Sequence, residues 1–195
     1  MNTPDDLEGI AVIGMSGRFP KAGNIKEFWQ NLVDGIECVS FPTYEEMLES
    51  GVDMSELNHP HYVRAGCFLE DIELFDAAFF GISPKEAEIM DPQHRIFLET
   101  AWQALEDAGY NPETYEGEIG VYAGCTMSTY MLYNLSTQLT QLPLVLGNDK
   151  DYLSTRVSYK MNLKGPSVTV QSACSTSMPK RMCGISPCSS ATRRM

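Results

Sequence analysis

The sequence has 195 residues, enough for one substantial domain and too few for two of ordinary size. Hydrophobic residues at 43% and charged residues at 21% are globular proportions, and they exclude a disordered tail or a fibrous repeat as the main character. With 26 acidic against 14 basic side chains the net charge is -12, a surface that repels phosphate, so neither nucleic acid nor an anionic membrane is expected as a partner.

Residues 1–8 read as a short acidic tail. The apolar run that follows, 10–15, is far shorter than a signal or membrane segment requires. The 6 cysteines form no CxxC pair and are too sparse for a disulfide scaffold, which predicts reduced thiols and a cytoplasmic protein.

In chain order, Ile10-Ala11-Val12-Ile13-Gly14 predicts a short strand closed by glycine, and residues 24–34 a helix stopped by Gly35. Residues 41–60 read as irregular loop. Ser83-Pro84-Lys85-Glu86 combines a capping serine, a first-turn proline and a glutamate three positions on, so a helix should begin there. Asp91-Pro92 repeats the signal, and Phe97, Ala101, Leu105 and Ala108 recur at helical spacing until Gly109. Residues 119–124 predict a buried strand, 149–161 a helix and 167–172 a second strand, with a Ser/Thr/Tyr-rich stretch of undefined type after the first strand. This alternation predicts a layered α/β domain with reactive groups at the strand ends.

The composition changes at residue 179. All 26 acidic side chains precede it, whereas Lys180, Arg181, Arg193 and Arg194 follow it. Residues 179–195 show neither helical nor alternating apolar period, so they read as an off-pattern basic tail without structure. A shifted reading frame beyond codon 178 is one expected origin.

The segment richest in chemistry is Val168-Thr169-Val170-Gln171-Ser172-Ala173-Cys174-Ser175-Thr176-Ser177, a strand that stops at a cysteine followed by hydroxyl residues. A thiol at a strand-to-helix turn sits near unpaired amides, which favour the thiolate and can hold the oxyanion of a carbonyl under attack. On the residues alone, a lone cysteine is more often a small buried hydrophobe.

Val170-Gln171-Ser172-Ala173-Cys174-Ser175-Thr176-Ser177 resembles the active-site motif of β-ketoacyl synthases, in particular the ketosynthase domains of modular type I polyketide synthases. Further segments agree in order: residues 10–20, Phe75-Asp76-Ala77-Ala78-Phe79-Phe80-Gly81-Ile82-Ser83, Met90-Asp91-Pro92-Gln93-His94-Arg95, Glu99-Thr100-Ala101-Trp102 and Gly147-Asn148-Asp149-Lys150-Asp151-Tyr152. The resemblance implies the N-terminal half of a thiolase-like layered α/β fold over residues 9–178, with Cys174 as the acyl-accepting nucleophile. It also implies decarboxylative Claisen condensation with a malonyl-type extender carried on the phosphopantetheine of an acyl carrier protein. A homodimer and no cofactor or metal held by the domain itself complete what it implies.

The resemblance stops at Met178, and the family's catalytic histidines and lysine follow its cysteine. The only histidines here, His59, His61 and His94, precede Cys174. His94 reads as a structural helix residue with a hydrogen bond, and His59 and His61 as members of a solvated loop rather than a metal pair. Cys183 and Cys188 fit no common zinc spacing, and Tyr122, Tyr130 and Tyr133 read as packing residues. Two functions are therefore expected: the cysteine-bearing part of a ketosynthase, or a catalytically incompetent product that retains at most contact surfaces for a carrier protein or sister subunit. The second is favoured for these 195 residues by themselves. A cysteine acyltransferase or hydrolase acting alone finds no base in the sequence.

Overall fold

The structure, a computed structural model, describes residues 10–135 and 141–171 together with the backbone of 184–188. It contains two compact units, Gly17–Ile72 and a second formed by the residues before Gly17 and after Ile72.

In the Gly17–Ile72 unit, α1 (Ile25–Val33) begins at Asn24, whose side chain accepts from the Lys26 and Glu27 amides and so satisfies two of the orphan donors of the first turn. The helix ends where expected, with Gly35 at φ 65°. The predicted irregular stretch 41–60 instead contains α2 (Tyr44–Glu49) and α3 (Met54–Leu57). The cause is local: Thr43 and Glu46 form a reciprocal capping box, and Asp53 caps α3 through the Ser55 amide. Ser40 and Gly66 form a two-way backbone bridge, and the Arg18 guanidinium donates to the Glu70 and Asp71 carbonyls. The His61 amide donates to Nδ1 of His59 at 3.3 Å, with the rings 5.7 Å apart. Among the described residues no group of three or more potential ligands is placed to hold a metal ion.

The other unit is organised around α5 (Pro92–Asp107), which follows the short α4 (Pro84–Ile89). Both start at the predicted caps, Ser83 and Asp91, with proline in the first turn. The inner face of α5 buries Leu98, Ala101 and Leu105 against Ile119 and Val121 of β1 (Glu118–Ala123) and Val157 of α8 (Leu153–Lys160). The segment 75–83 folds as turns, with the Phe79 amide held by Asp76 Oδ1 at 3.0 Å, and sets Phe79 edge-on to Trp102 of α5 at 4.9 Å. Within that segment Phe75, Ala77 and Phe80 pack against the core cluster, whereas Phe79 stays 55% exposed.

The stretch of undefined type contains α6 (Thr129–Tyr133) and α7 (Gln141–Asn148), and the predicted helix over 149–161 resolves into a 3-10 turn, Lys150–Tyr152, followed by α8. Parallel to β1 runs β2 (Ser167–Thr169), in the register Val121↔Ser167 and Ala123↔Thr169. The ladder continues one residue further, since the Val170 amide donates to the Ala123 carbonyl at 2.8 Å.

Two expectations meet differences here. Within 179–195, read as unstructured, Gly184–Cys188 forms β3, antiparallel to β1, giving the sheet order β2-β1-β3. Residues 10–14, expected as a strand, lie outside the sheet. A strand needs an edge to pair with, and both edges of β1 are taken. The chain instead passes against the last turns of α5, where a side chain at Gly14 would meet the Ala104 carbonyl oxygen at 2.6 Å and the Ala108 nitrogen at 2.7 Å. Just beyond, the Met15 amide donates to Asp107 Oδ2 at 2.8 Å and the Ser16 hydroxyl to Gln103 Oε1 at 2.7 Å.

Leu98 is 0% exposed within the core cluster that α5 shares with β1 and α8. Leu98→Ala is expected to destabilise this unit by about 2–5 kcal/mol, the range for an unfilled leucine-sized space in a core, as read by urea unfolding. A change below about 1 kcal/mol would show that α5 is not the centre of the core.

Candidate active site at the ends of β1 and β2

Because β1 and β2 are parallel and in register at Ala123↔Thr169, their C-terminal ends open side by side. In parallel α/β sheets that end is where ligands and reactive groups collect. From β1 emerge Gly124, Cys125 and Thr126, and from β2 emerge Val170 and Gln171. Cys174, three positions on, lies outside the described residues.

A network of polar side chains fixes this edge. Gln93, in the first turn of α5, accepts at Oε1 from the Thr126 amide at 3.1 Å and hydroxyl at 2.9 Å. Asp91 caps the same helix through the Gln93 amide at 2.7 Å, and its own amide donates to the Gly147 carbonyl. Asn148 ends α7 with its side-chain amide donating to the Ile89 carbonyl at 2.8 Å and the Leu144 carbonyl at 2.9 Å, while its oxygen accepts from Ser128 at 3.0 Å. Two hydroxyl pairs, Ser154–Thr169 at 2.7 Å and Ser158–Ser167 at 2.5 Å, fasten β2 to α8. In the sequence Asp91 stands out as a helix cap, Gln93 and Asn148 only as parts of matching segments, and nothing marks Ser154. Their partners lie far along the chain, so no local spacing points to them.

The titratable groups at this edge are tuned against reactivity. Burial, and then the charge of Asp91, pushes the Cys125 thiol above its ordinary value, which favours the protonated form over the thiolate. His94 is buried in α5 at 2% exposure, and among the described residues neither ring nitrogen has a hydrogen-bond partner. Desolvation, followed by the positive charge of Arg156, lowers its pKa to about 4 against the pull of Asp91 and Asp149. His94 is thus a helix residue, as expected, held neutral by its surroundings, and among the described residues it lacks the hydrogen bond expected of it. Arg156 itself is held by the Glu86 carboxylate at 3.3 Å and the Leu146 carbonyl. Tyr130 packs as expected, donating to the Glu88 carbonyl at 2.7 Å with Arg95 over its ring. Tyr133, at the last position of the short α6, turns outward and is exposed, contrary to its reading as a packing residue.

The His94 environment has a measurable consequence. An unfolded histidine takes up its proton near pH 6.5, the folded one only near 4, so the stability contribution is full above 6.5 and is lost as pH falls through that window. The loss amounts to about 3 kcal/mol once pH is below the folded value. His94→Leu, which removes two unpartnered buried nitrogens, is expected to be at least as stable as the parent at about pH 7.5 and to lack this part of the acid dependence. Parallel slopes of unfolding free energy against pH for the two proteins would overturn the assignment.

Comparison with known proteins places this geometry. Residues 7–180 match the family model described as "Beta-ketoacyl synthase, N-terminal domain". The chain is 44% identical over 190 residues to a phenolphthiocerol/phthiocerol polyketide synthase of Mycobacterium tuberculosis, covering 91% of this chain and 13% of that protein. It is 43% identical over 188 residues to the polyketide synthase PksM of Bacillus subtilis, covering 91% and 4%. Among solved structures, ketosynthase twelve from the bacillaene polyketide synthase of Bacillus amyloliquefaciens superposes with a TM-score of 0.73 at 40% identity, over 85% of this chain and 29% of that one. The oxazolomycin ketosynthase domain OzmH KS7 of Streptomyces albus gives 0.72 at 34% identity, over 86% and 30%. The chain therefore spans less than a third of the ketosynthase chains and a still smaller share of the curated relatives. The α/β layers described above are the N-terminal half of the thiolase-like ketosynthase fold, and the chain belongs to the β-ketoacyl synthase family.

Proposed function

We propose that this chain contributes the nucleophile-bearing half of a ketosynthase and that Cys174 accepts the acyl group. The observation that carries this reading is the parallel register of β1 and β2, which directs Gln171 out of the sheet at the edge organised by Gln93, Asn148 and Ser154, three residues ahead of the cysteine. The family match extends through the cysteine, to residue 180.

The Cys174 thiolate attacks the carbonyl of an acyl thioester on the phosphopantetheine arm of an acyl carrier protein. The tetrahedral oxyanion collapses, the carrier thiolate leaves and takes a proton from solvent, and the acyl group remains on sulfur. Thioester-to-thioester exchange is close to isoenergetic, so the acyl carbon stays activated. In the condensation that follows in the full reaction, loss of carbon dioxide from a malonyl-type thioester leaves an enolate. That enolate attacks the acyl carbonyl and expels the Cys174 thiolate. A homodimeric arrangement and a cytoplasmic setting belong to the same reading. No helix among the described residues is long and apolar enough to cross a membrane.

A second element of the proposal is that these 195 residues by themselves stop at acylation. Its support is the state of the three histidines. His59 and His61 belong to the Gly17–Ile72 unit, beside each other. The unit that carries the β1–β2 edge has His94 alone, buried in α5 as a neutral group that neither donates nor accepts a hydrogen bond among the described residues.

Both parts are tested with a short-chain acyl-carrier thioester and intact-mass detection. The expected result is one acyl adduct, abolished by Cys174→Ala, and iodoacetamide labelling that is faster at Cys174 than at Cys38 or Cys67 and slowest at Cys125. Adding malonyl-carrier protein is expected to release no carbon dioxide above background. Adducts that persist in Cys174→Ala would overturn the nucleophile, and turnover of the malonyl thioester would overturn the limit to acylation.

A further inference from the structure

Gln93 meets Thr126 as a neighbouring strand would. Its side-chain oxygen accepts from the Thr126 amide at 3.1 Å and hydroxyl at 2.9 Å, and its nitrogen donates to the Thr126 carbonyl at 3.4 Å, so one side chain engages all three polar groups of that residue. The β1 ladder ends at Ala123, which pairs with Thr169 and accepts from the Val170 amide. Beyond it, a side-chain amide from a residue 33 positions earlier takes the place of a strand.

The turn after β1 is held a second time. Ser128 is buried and donates to Asn148 Oδ1 at 3.0 Å. Between the two holds Met127 is 66% exposed, and on the other side of Thr126 the Cys125 side chain is half-buried. Polar groups therefore fix the turn while its apolar side chain stays open to a ligand. Gln93 is itself well set for this, since its backbone amide donates to Asp91 Oδ1 at 2.7 Å and its side-chain nitrogen to Asp91 Oδ2 at 3.4 Å, at a capped helix start.

We infer that Gln93 is a positioning residue for acyl transfer: by holding Thr126 it fixes the turn 124–127 as one wall of the acyl-binding space, and so sets which acyl chain length is preferred. The inference rests on the reading of Cys174 as the acyl acceptor. Because β1 and β2 are parallel and in register, this turn leaves the sheet alongside the chain that departs from β2 toward Cys174. A two-carbon acyl group ends one methyl beyond its carbonyl and hardly reaches a wall. A six-carbon group must lie along it, so only the longer chain depends on the wall staying in place.

Gln93→Ala tests this in the full 195-residue chain, because the variant keeps the backbone amide that Asp91 caps and alanine suits a helix. Amide hydrogen exchange reads the hold, and Cys174 acylation from acetyl- and hexanoyl-carrier thioesters reads the role. The Thr126 amide is expected to exchange at least about tenfold faster, the scale of one or two lost hydrogen bonds, while amides of 98–105 keep their parent protection. Cys125 is expected to label faster with iodoacetamide. The hexanoyl-to-acetyl ratio of acylation rates is expected to fall at least about threefold, close to the effect of one methylene group left uncovered. Thr126→Val, which removes only the hydroxyl, is expected to give a smaller fall and to add nothing in the Gln93→Ala background. Faster Thr126 exchange with an unchanged ratio would overturn the positioning role, and parent-like Thr126 exchange would overturn the hold itself. Should Gln93→Ala also release the amides of 98–105, Thr126→Val, which leaves α5 untouched, decides by the same ratio. A parent that takes no acyl group from either thioester would overturn the Cys174 reading and this role with it, a result distinct from an unchanged ratio.

Discussion

Burial of one face of α5 against β1 and α8 is the constraint on which the rest of this unit depends. Leu98, Ala101 and Leu105 on that helix meet Ile119, Val121 and Val157, and removing this surface from water is the largest favourable contribution available to so short a sheet. The same helix carries Asp91 and Gln93 in its capped first turn, so seating the apolar face also sets where Gln93 meets Thr126 beyond β1. Apolar contact supplies the energy, and the polar bonds at the helix end determine the position.

His94 shows the cost of that arrangement. It lies in the first turn of α5 among groups that must be buried, and its two nitrogens find no partners among the described residues. An unpaired neutral imidazole is tolerable where an unpaired imidazolium is not, which is why the pKa moves down and Arg156 adds to the shift. The same setting that disqualifies His94 as a base stabilises the neutral helix start. Cys125 follows the same logic in the opposite direction: burial, with the charge of Asp91 added to it, favours keeping its proton on.

Features decided within a few residues were legible in the sequence, and features decided across the chain were not. The starts of α4 and α5 follow from Ser83, Asp91 and the prolines after them, and their geometry matches. The capping box of Thr43 and Glu46 carries the same kind of local information, and α2 could have been found from it in the stretch read as loop. Residues 10–14 have the pattern of a strand, yet pairing depends on an edge more than a hundred residues away that β3 already holds. Gly184–Cys188 pairs without any pattern, because backbone groups can complete a ladder whatever their side chains. In the candidate site, the strand leading toward Cys174 was readable, whereas the Gln93–Thr126 and Ser154–Thr169 contacts exist only once distant segments are folded together.

The direction in which the chain leaves β2 depends on the register of that strand against β1. β2 is short and only half covered, so apolar packing alone would hold it weakly against sliding along β1. A slip of one residue would move everything after Gln171 by about 3.3 Å and turn each side chain to the opposite face of the sheet. The two hydroxyl pairs to α8 resist that slip, because Ser154 and Ser158, one helical turn apart, match Thr169 and Ser167, two residues apart on one face of the strand. A helix repeat of four residues rises about 6 Å and a strand repeat of two about 6.6 Å, so the two pairs fit in one register and in no neighbouring one. Directional bonds between small side chains thus do here what bulky packing does inside α5, and they fix the strand end from which the chain departs toward Cys174.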